Sequence, residues 1–201
     1  MSALFSNGQC RPVRWVQVLR AQGRPVLSLT LSLPRLTGGG TGAERVNRHF
    51  TRLREAWRRR WTGPLYRAAA QAPPPPWSAS LDYRVTLHTQ DQFSLLWTAS
   101  VTRGETVKTV SCGECWDLRT GALLTLKEVL PLRRRDLTAR LSQALEARPG
   151  LFPDWKARLR AALDPDRFYL TEEGPVLFFP PGRLADHFLQ VPLPWDTEPV
   201  Q

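Results

Sequence analysis

The chain has 201 residues and a formal net charge of +10, with 42% hydrophobic and 23% charged residues. That composition lies near the globular average and excludes a wholly disordered chain. No apolar run approaches the roughly 18 residues a membrane helix requires, and three cysteines do not describe a disulfide-built scaffold. Met1 to Gly8 show neither a basic n-region nor an apolar h-region, so no signal peptide is expected. The charge is carried by arginine, since Lys108, Lys127 and Lys156 are the only lysines. A GC-rich coding bias that exchanges Lys for Arg throughout raises charge without selecting phosphate contacts, so a solvated basic surface is the expectation.

Leu27 to Leu33 alternates leucine with Ser28, Thr30 and Ser32, the period of a half-buried strand. Pro34 is expected to end its hydrogen-bonded run. Pro12 to Leu19 is expected to pair with it through a turn near Gln22-Gly23. After the glycine-rich loop Gly38 to Gly42, Val46, Phe50, Leu53, Trp57 and Trp61 recur at spacings of four, three, four and four. They mark one face of an amphipathic helix, read as core, with Arg45, Arg48, Arg52, Arg58 and Arg59 turned elsewhere. No Gly-Lys-Ser/Thr follows the loop, so it does not read as a phosphate cradle. Arg52, Arg58, Arg59 and Arg60 are expected to lie in water without converging on a groove.

Ala72 to Trp77 is a stiff polyproline connection. Leu81 to His88, Phe93 to Val101 and Thr106 to Leu118 follow as strands. Leu137, Leu141, Ala144 and Leu145 predict a helix with Asp136 as N-cap, stopped at Pro149-Gly150. Trp155 to Leu163 predicts another. Phe168 to Leu170 and Val176 to Phe179 flank a hairpin turn at Glu172-Glu173-Gly174, and Leu189 to Leu193 is a short edge strand. The expected fold is α+β: an antiparallel meander with helices packed on one face, a single domain over residues 12–196 between flexible termini 1–11 and 197–201. Leu29, Leu31, Phe50, Trp57, Leu95, Trp97 and Phe178 are expected in a shared core.

Cys112-Gly113-Glu114-Cys115 is the most chemical of the motifs. Zinc needs four ligands, and only Cys10, His49, His88 and His187 remain to complete a set. A thioredoxin-type site needs CxxC to open a helix, whereas this one runs into strand residues. Residues three apart on a strand face opposite sides, so a disulfide would require a bulge at Gly113. Unpaired thiols, a local disulfide and metal or redox chemistry all stay open. With no G-x-S-x-G elbow or H-E-x-x-H helix, and with each histidine standing alone, no enzyme, metal or cofactor is expected. His187 beside Asp186 reads as a polar surface pair.

Several segments in this order resemble one family: the Leu-alternating strand ending at Pro34, Asn47 near a helix start, the Tyr83 strand, Trp116 to Leu130 with its D-L-x-T-G-x-x-L-T-L turn, and Phe168 to Pro181 with its F-Y-L-T-x-x-G hairpin. Over roughly residues 26–195 they resemble the extracellular domain of the anti-sigma factor RsiV and the related N-terminal domain of the peptidoglycan deacetylase PdaC. The resemblance implies a non-enzymatic binding or sensing domain of otherwise unknown function, with an extracellular protein such as lysozyme, or a cell-wall ligand, as partner. The chain departs from the family after its third strand, at Thr102 to Thr106, and after its last aromatic strand, at Pro180 to Arg183. A binding surface is therefore expected around those two segments, with Arg103, Pro181, Arg183 and His187 as its residues. The alternative is a basic nucleic-acid or polyanion binder using the Arg-rich helix 43–61.

Overall fold

The computed structural model describes residues 10–38 and 40–195. The fold is α+β, with a six-stranded mixed sheet, a three-stranded antiparallel sheet and helices. The chain forms two compact units. The first holds the described residues up to Arg84, with Leu96–Ser111 and Asp117–Ala122; the second holds Val85–Leu95, Cys112–Trp116 and the described residues from Leu123 onward. No helix among the described residues is long and apolar enough to cross a membrane.

In the first unit, β1 (Cys10–Ala21) and β2 (Arg24–Leu36) form the expected hairpin, with Trp15 opposite Leu31. Gln22 (φ 50°) and Gly23 (φ 77°) both take the positive φ that a two-residue type I′ turn demands. Leu27, Leu29, Leu31 and Leu33 are buried. Helix α1 (Thr41–Arg60) packs on β2, as does α2 (Tyr66–Gln71). The larger sheet has the order β1-β2-β3-β4-β5-β6, where β3 is Trp77–His88, β4 Gln92–Arg103, β5 Thr106–Asp117 and β6 Ala122–Leu123.

The β2/β3 pair departs from an antiparallel arrangement, because Leu27 lies opposite Trp77 and Leu31 opposite Leu81 in parallel register. Parallel neighbours need a crossover rather than a tight turn, and α1 and α2 supply it. The helical path also continues past Pro64 instead of stopping. Trp61–Leu65 form a π-helical turn, whose wider repeat admits a residue with no N–H to donate.

Three local expectations are corrected. Cys10 and Arg11, expected in a loose terminus, pair with Leu36 and Arg35; residues 1–9 and 197–201 of those termini lie outside the described residues. β2 does not end at Pro34, which pairs with Pro12 while the strand runs on to Leu36. Asn47 then takes over at the strand's end: its Oδ1 accepts from the Leu36 N–H at 2.8 Å and its Nδ2 donates to the Leu36 carbonyl at 3.0 Å. Replacing Asn47 with alanine leaves both groups of a buried residue unmet, and a loss of about 1–3 kcal/mol is expected in urea unfolding. Finally, Trp57 is not core. It is half-buried, whereas Trp61, one turn on, is 1% exposed.

The glycine-rich loop leads into a close approach. A side chain on Gly42 would strike the Leu118 carbonyl, where the D-L-x-T-G turn meets the start of α1 and Arg45 Nη1 donates to the Thr120 carbonyl at 2.8 Å. Gly39, within the same loop, lies outside the described residues.

The second unit has its own core, in which Leu141, Leu145, Leu159, Phe168, Leu177 and Val191 are buried. α3 (Leu126–Val129) is a single turn opened by a Thr125/Glu128 capping box. α4 (Arg134–Glu146) and α5 (Trp155–Ala162) pack together. Arg133, not Asp136, precedes α4; Asp136 sits in its first turn, where a carboxylate favours the positive end of the helix dipole. β7 (Phe168–Thr171), β8 (Gly174–Phe179) and β9 (Leu189–Pro192) form the smaller sheet, with β9 at an edge as expected. The residues expected in one core divide: Leu29, Leu31, Phe50 and Trp97 belong to the first unit, Leu95 and Phe178 to the second.

Candidate functional site

The Cys112-to-Cys115 segment is built for packing. All three cysteines are free. A side chain on Gly113 would collide with the Phe168 carbonyl, so the glycine serves a backbone approach within the second unit rather than a bulge for a disulfide. Cys115 Sγ lies 3.3 Å from Ser94 Oγ, and that hydroxyl also accepts from the Leu170 N–H at 2.8 Å. Burial pushes both thiols up to about 12 from an ordinary 9.0, leaving almost no thiolate at neutral pH and so a poor nucleophile or metal ligand. Two results are expected. Iodoacetamide at pH 8 should label Cys112 and Cys115 far more slowly in the folded protein than in urea. Stability should also fall as pH rises from about 9 to about 12, because the unfolded chain releases these protons near 9 and the folded chain retains them. Rapid native labelling at neutral pH would contradict both. Among the described residues no group of three or more His, Cys, Asp or Glu is placed to hold a metal ion.

The segment from Pro180 to Phe188 is a pinned loop. Leu184 and Ala185 are buried, the Phe152 N–H donates to the Leu184 carbonyl at 2.9 Å, and the Phe188 ring lies 5.3 Å from Phe178. Pro181, Arg183, Asp186 and His187 are exposed on it, and the His187 imidazole lies beside Gly150. The candidates Pro181, Arg183 and His187 belong to the second unit and Arg103 to the first.

Arg103 also lines a concavity of the first unit. A groove of about 360 Å³ runs between the α1–α2 helical path and β4–β5. Its apolar lining includes Trp57, Trp61, Leu65, Val101 and Val110, and its cations are Arg60, Arg103 and Lys108; among the described residues no acid lines it. Trp57 is the accessible aromatic, 5.2 Å from Trp61 and 6.2 Å, edge to face, from Trp97. The Arg60 guanidinium lies 5.5 Å from the Trp57 ring, and that of Arg103 stacks 4.3 Å from Trp77. Cation–π contacts of this kind hold the guanidiniums without neutralising them, so their charge stays available to a ligand.

Arg60 therefore departs from the expectation that the helical arginines share no groove. Arg52, Arg58 and Arg59 are exposed as expected, Arg58 bound to Glu55 at 2.9 Å. Arg52 lines a second hollow of about 380 Å³ with Asn47, Arg48 and Arg54. Trp57, Arg60 and Lys108 escaped identification as site residues from the sequence. A signal did exist for Lys108: Thr106 to Val110 breaks the alternation of its neighbours, placing one valine on each face of the strand.

No family model matches the chain, and no curated protein matches it. Solved structures share its fold, and two of them come from one family. A member of the DUF3298 family from Bacteroides fragilis aligns with a TM-score of 0.69, covering 92% of this chain and 90% of its own, at 11% identity. A DUF3298 family protein from Pseudomonas aeruginosa PAO1 aligns with a TM-score of 0.62, covering 92% and 89%, again at 11% identity. At that identity the likeness establishes the fold and leaves function to the site.

Proposed function

We propose that the chain is a non-enzymatic binding or sensing module of the kind its resemblance to the RsiV extracellular domain implies, with its ligand seat in the groove at Trp57. The single observation that carries this is a half-exposed aromatic floor rimmed by three cations and, among the described residues, no acid. Apolar concavities with a few placed polar groups are the usual seats of ligands, and loops departing from a family's pattern are where recognition changes. The burial of Cys115 and the close backbone approach at Gly113 speak for thiols used in packing. The nucleic-acid alternative draws no support from the fold's relatives, and Arg60 is the one arginine of helix 43–61 in the described lining of this seat.

The test is calorimetric titration of the intact chain with c-type lysozyme and with solubilised cell-wall fragments. Binding of at least one, weakened roughly tenfold or more by Trp57→Ala or Arg103→Glu, is the expected result. Affinity indifferent to both substitutions would remove the seat from this groove. Turnover of either ligand would replace binding with catalysis.

A further inference from the structure

The N-terminal half of β5 leaves a backbone edge open beside the groove. β4 covers one side of it, where Thr98 and Ser111 share a 3.0 Å hydroxyl contact and Ser100 and Thr109 one of 3.2 Å. On the other side β6 is two residues long and meets β5 near Cys115, whose carbonyl accepts from the Leu124 N–H at 2.7 Å. Among the described residues, no strand covers Thr106–Ser111 on that side. Open edges are normally blunted by proline, clustered charge or a bulge. The opposite edge strand, β1, has all three: Pro12, then Arg11, Arg14 and Arg20, and a register shift after Leu19. This stretch of β5 has one lysine, no proline, and Val107 and Val110 exposed at 59% and 57%.

Side chains alternate along the strand. Lys108 and Val110 line the groove, while Val107 and Thr109 face the other way. A strand laid along β5 would therefore set every second side chain over the groove, beside Lys108, Arg103 and Arg60. The geometry points to strand addition: β5 receives an extended segment of a partner protein in which acidic and apolar residues alternate. Main-chain hydrogen bonds supply affinity in that mode and alternate side chains supply specificity. Charge selects the occupant. A second copy of a chain with net charge +10 would bring like charge to this edge, whereas an acidic segment meets the three uncompensated cations. This inference rests on the groove as the ligand seat and names the class of partner that fits it.

The probe is a fluorescein-labelled peptide of about ten residues alternating Glu and Val, followed by anisotropy and by amide hydrogen exchange of the full chain. Its controls are a Lys–Val peptide and a Glu–Val peptide N-methylated at alternate residues. The expected result is binding of the Glu–Val peptide with slowed exchange across Thr106–Ser111, and none of the N-methylated form. Lys108→Glu, an exposed change that should leave the melting curve in place, should weaken the Glu–Val peptide roughly tenfold and admit the Lys–Val peptide. Equal affinity for the Lys–Val or N-methylated peptide, binding without protection at Thr106–Ser111, or no binding would each overturn strand addition. Should lysozyme or cell-wall fragments still respond to Trp57→Ala while no peptide binds, the groove stands as a seat and the strand-addition inference alone fails.

Discussion

Alanine at Gly113 is expected to cost about 3 kcal/mol or more, lowering the melting temperature by roughly 6–12 °C. The new methyl group would occupy the space of the Phe168 carbonyl, and its next neighbour is a Phe178 ring carbon 3.2 Å away. Neither is the free end of a flexible side chain. Relief requires β5 and β7 to separate within the second unit, which also strains the Ser94 bond to the Leu170 N–H. Gly40→Ser is the control, because nothing lies within 4 Å of that position and serine is a favoured residue before a helix. Urea and thermal unfolding of the two variants should diverge sharply. Equal stabilities would mean that the strand pair yields freely at Gly113.

The two neighbouring tryptophans of the helical path should behave very differently. Trp61→Ala is expected to cost about 3–5 kcal/mol, as for a large side chain deleted from a closed core. Trp57→Ala, which removes a half-exposed ring and its edge contacts with Trp61 and Trp97, should cost only about 1–2 kcal/mol. Chemical denaturation of both variants, together with quenching of the parent's tryptophan emission by iodide, measures the difference. Comparable losses would put Trp57 in the core and close the groove.

Periodicity disclosed the elements more readily than their partners. The leucine alternation of β2 and the helical stripe from Val46 to Trp61 were both legible, because each follows from the geometry of one element. The parallel β2/β3 pairing was not. Two strands look alike whether they run together or opposed, and the direction depends on how the intervening chain returns. The stripe likewise shows which face of α1 turns inward without showing how deeply each ring is covered, so Trp57 and Trp61 read the same. Arg103 could be singled out because it occupies a turn that departs from a family pattern. Arg60 could not, and Lys108 was marked only by the broken alternation of its strand, since a helix end and a strand far apart in sequence form the groove only after folding. Gly113 follows the same logic: its necessity comes from the Phe168 carbonyl, more than fifty residues away.

The crossover between β2 and β3 also orders events during synthesis. Leu27 to Leu33 has no charge and no proline, and its strict alternation of leucine and hydroxyl residues makes it a strong β-former. The β1/β2 hairpin is local and can close within microseconds, but the helices that cover its leucine face are encoded later, up to Gln71. At ordinary elongation rates of about 5–20 residues per second, that apolar stripe stays bare on the nascent chain for several seconds. β3 can join only after the helices have formed. The interval leaves the growing chain open to aggregation at this point, and slowed translation between Leu33 and Gln71 should increase the fraction lost.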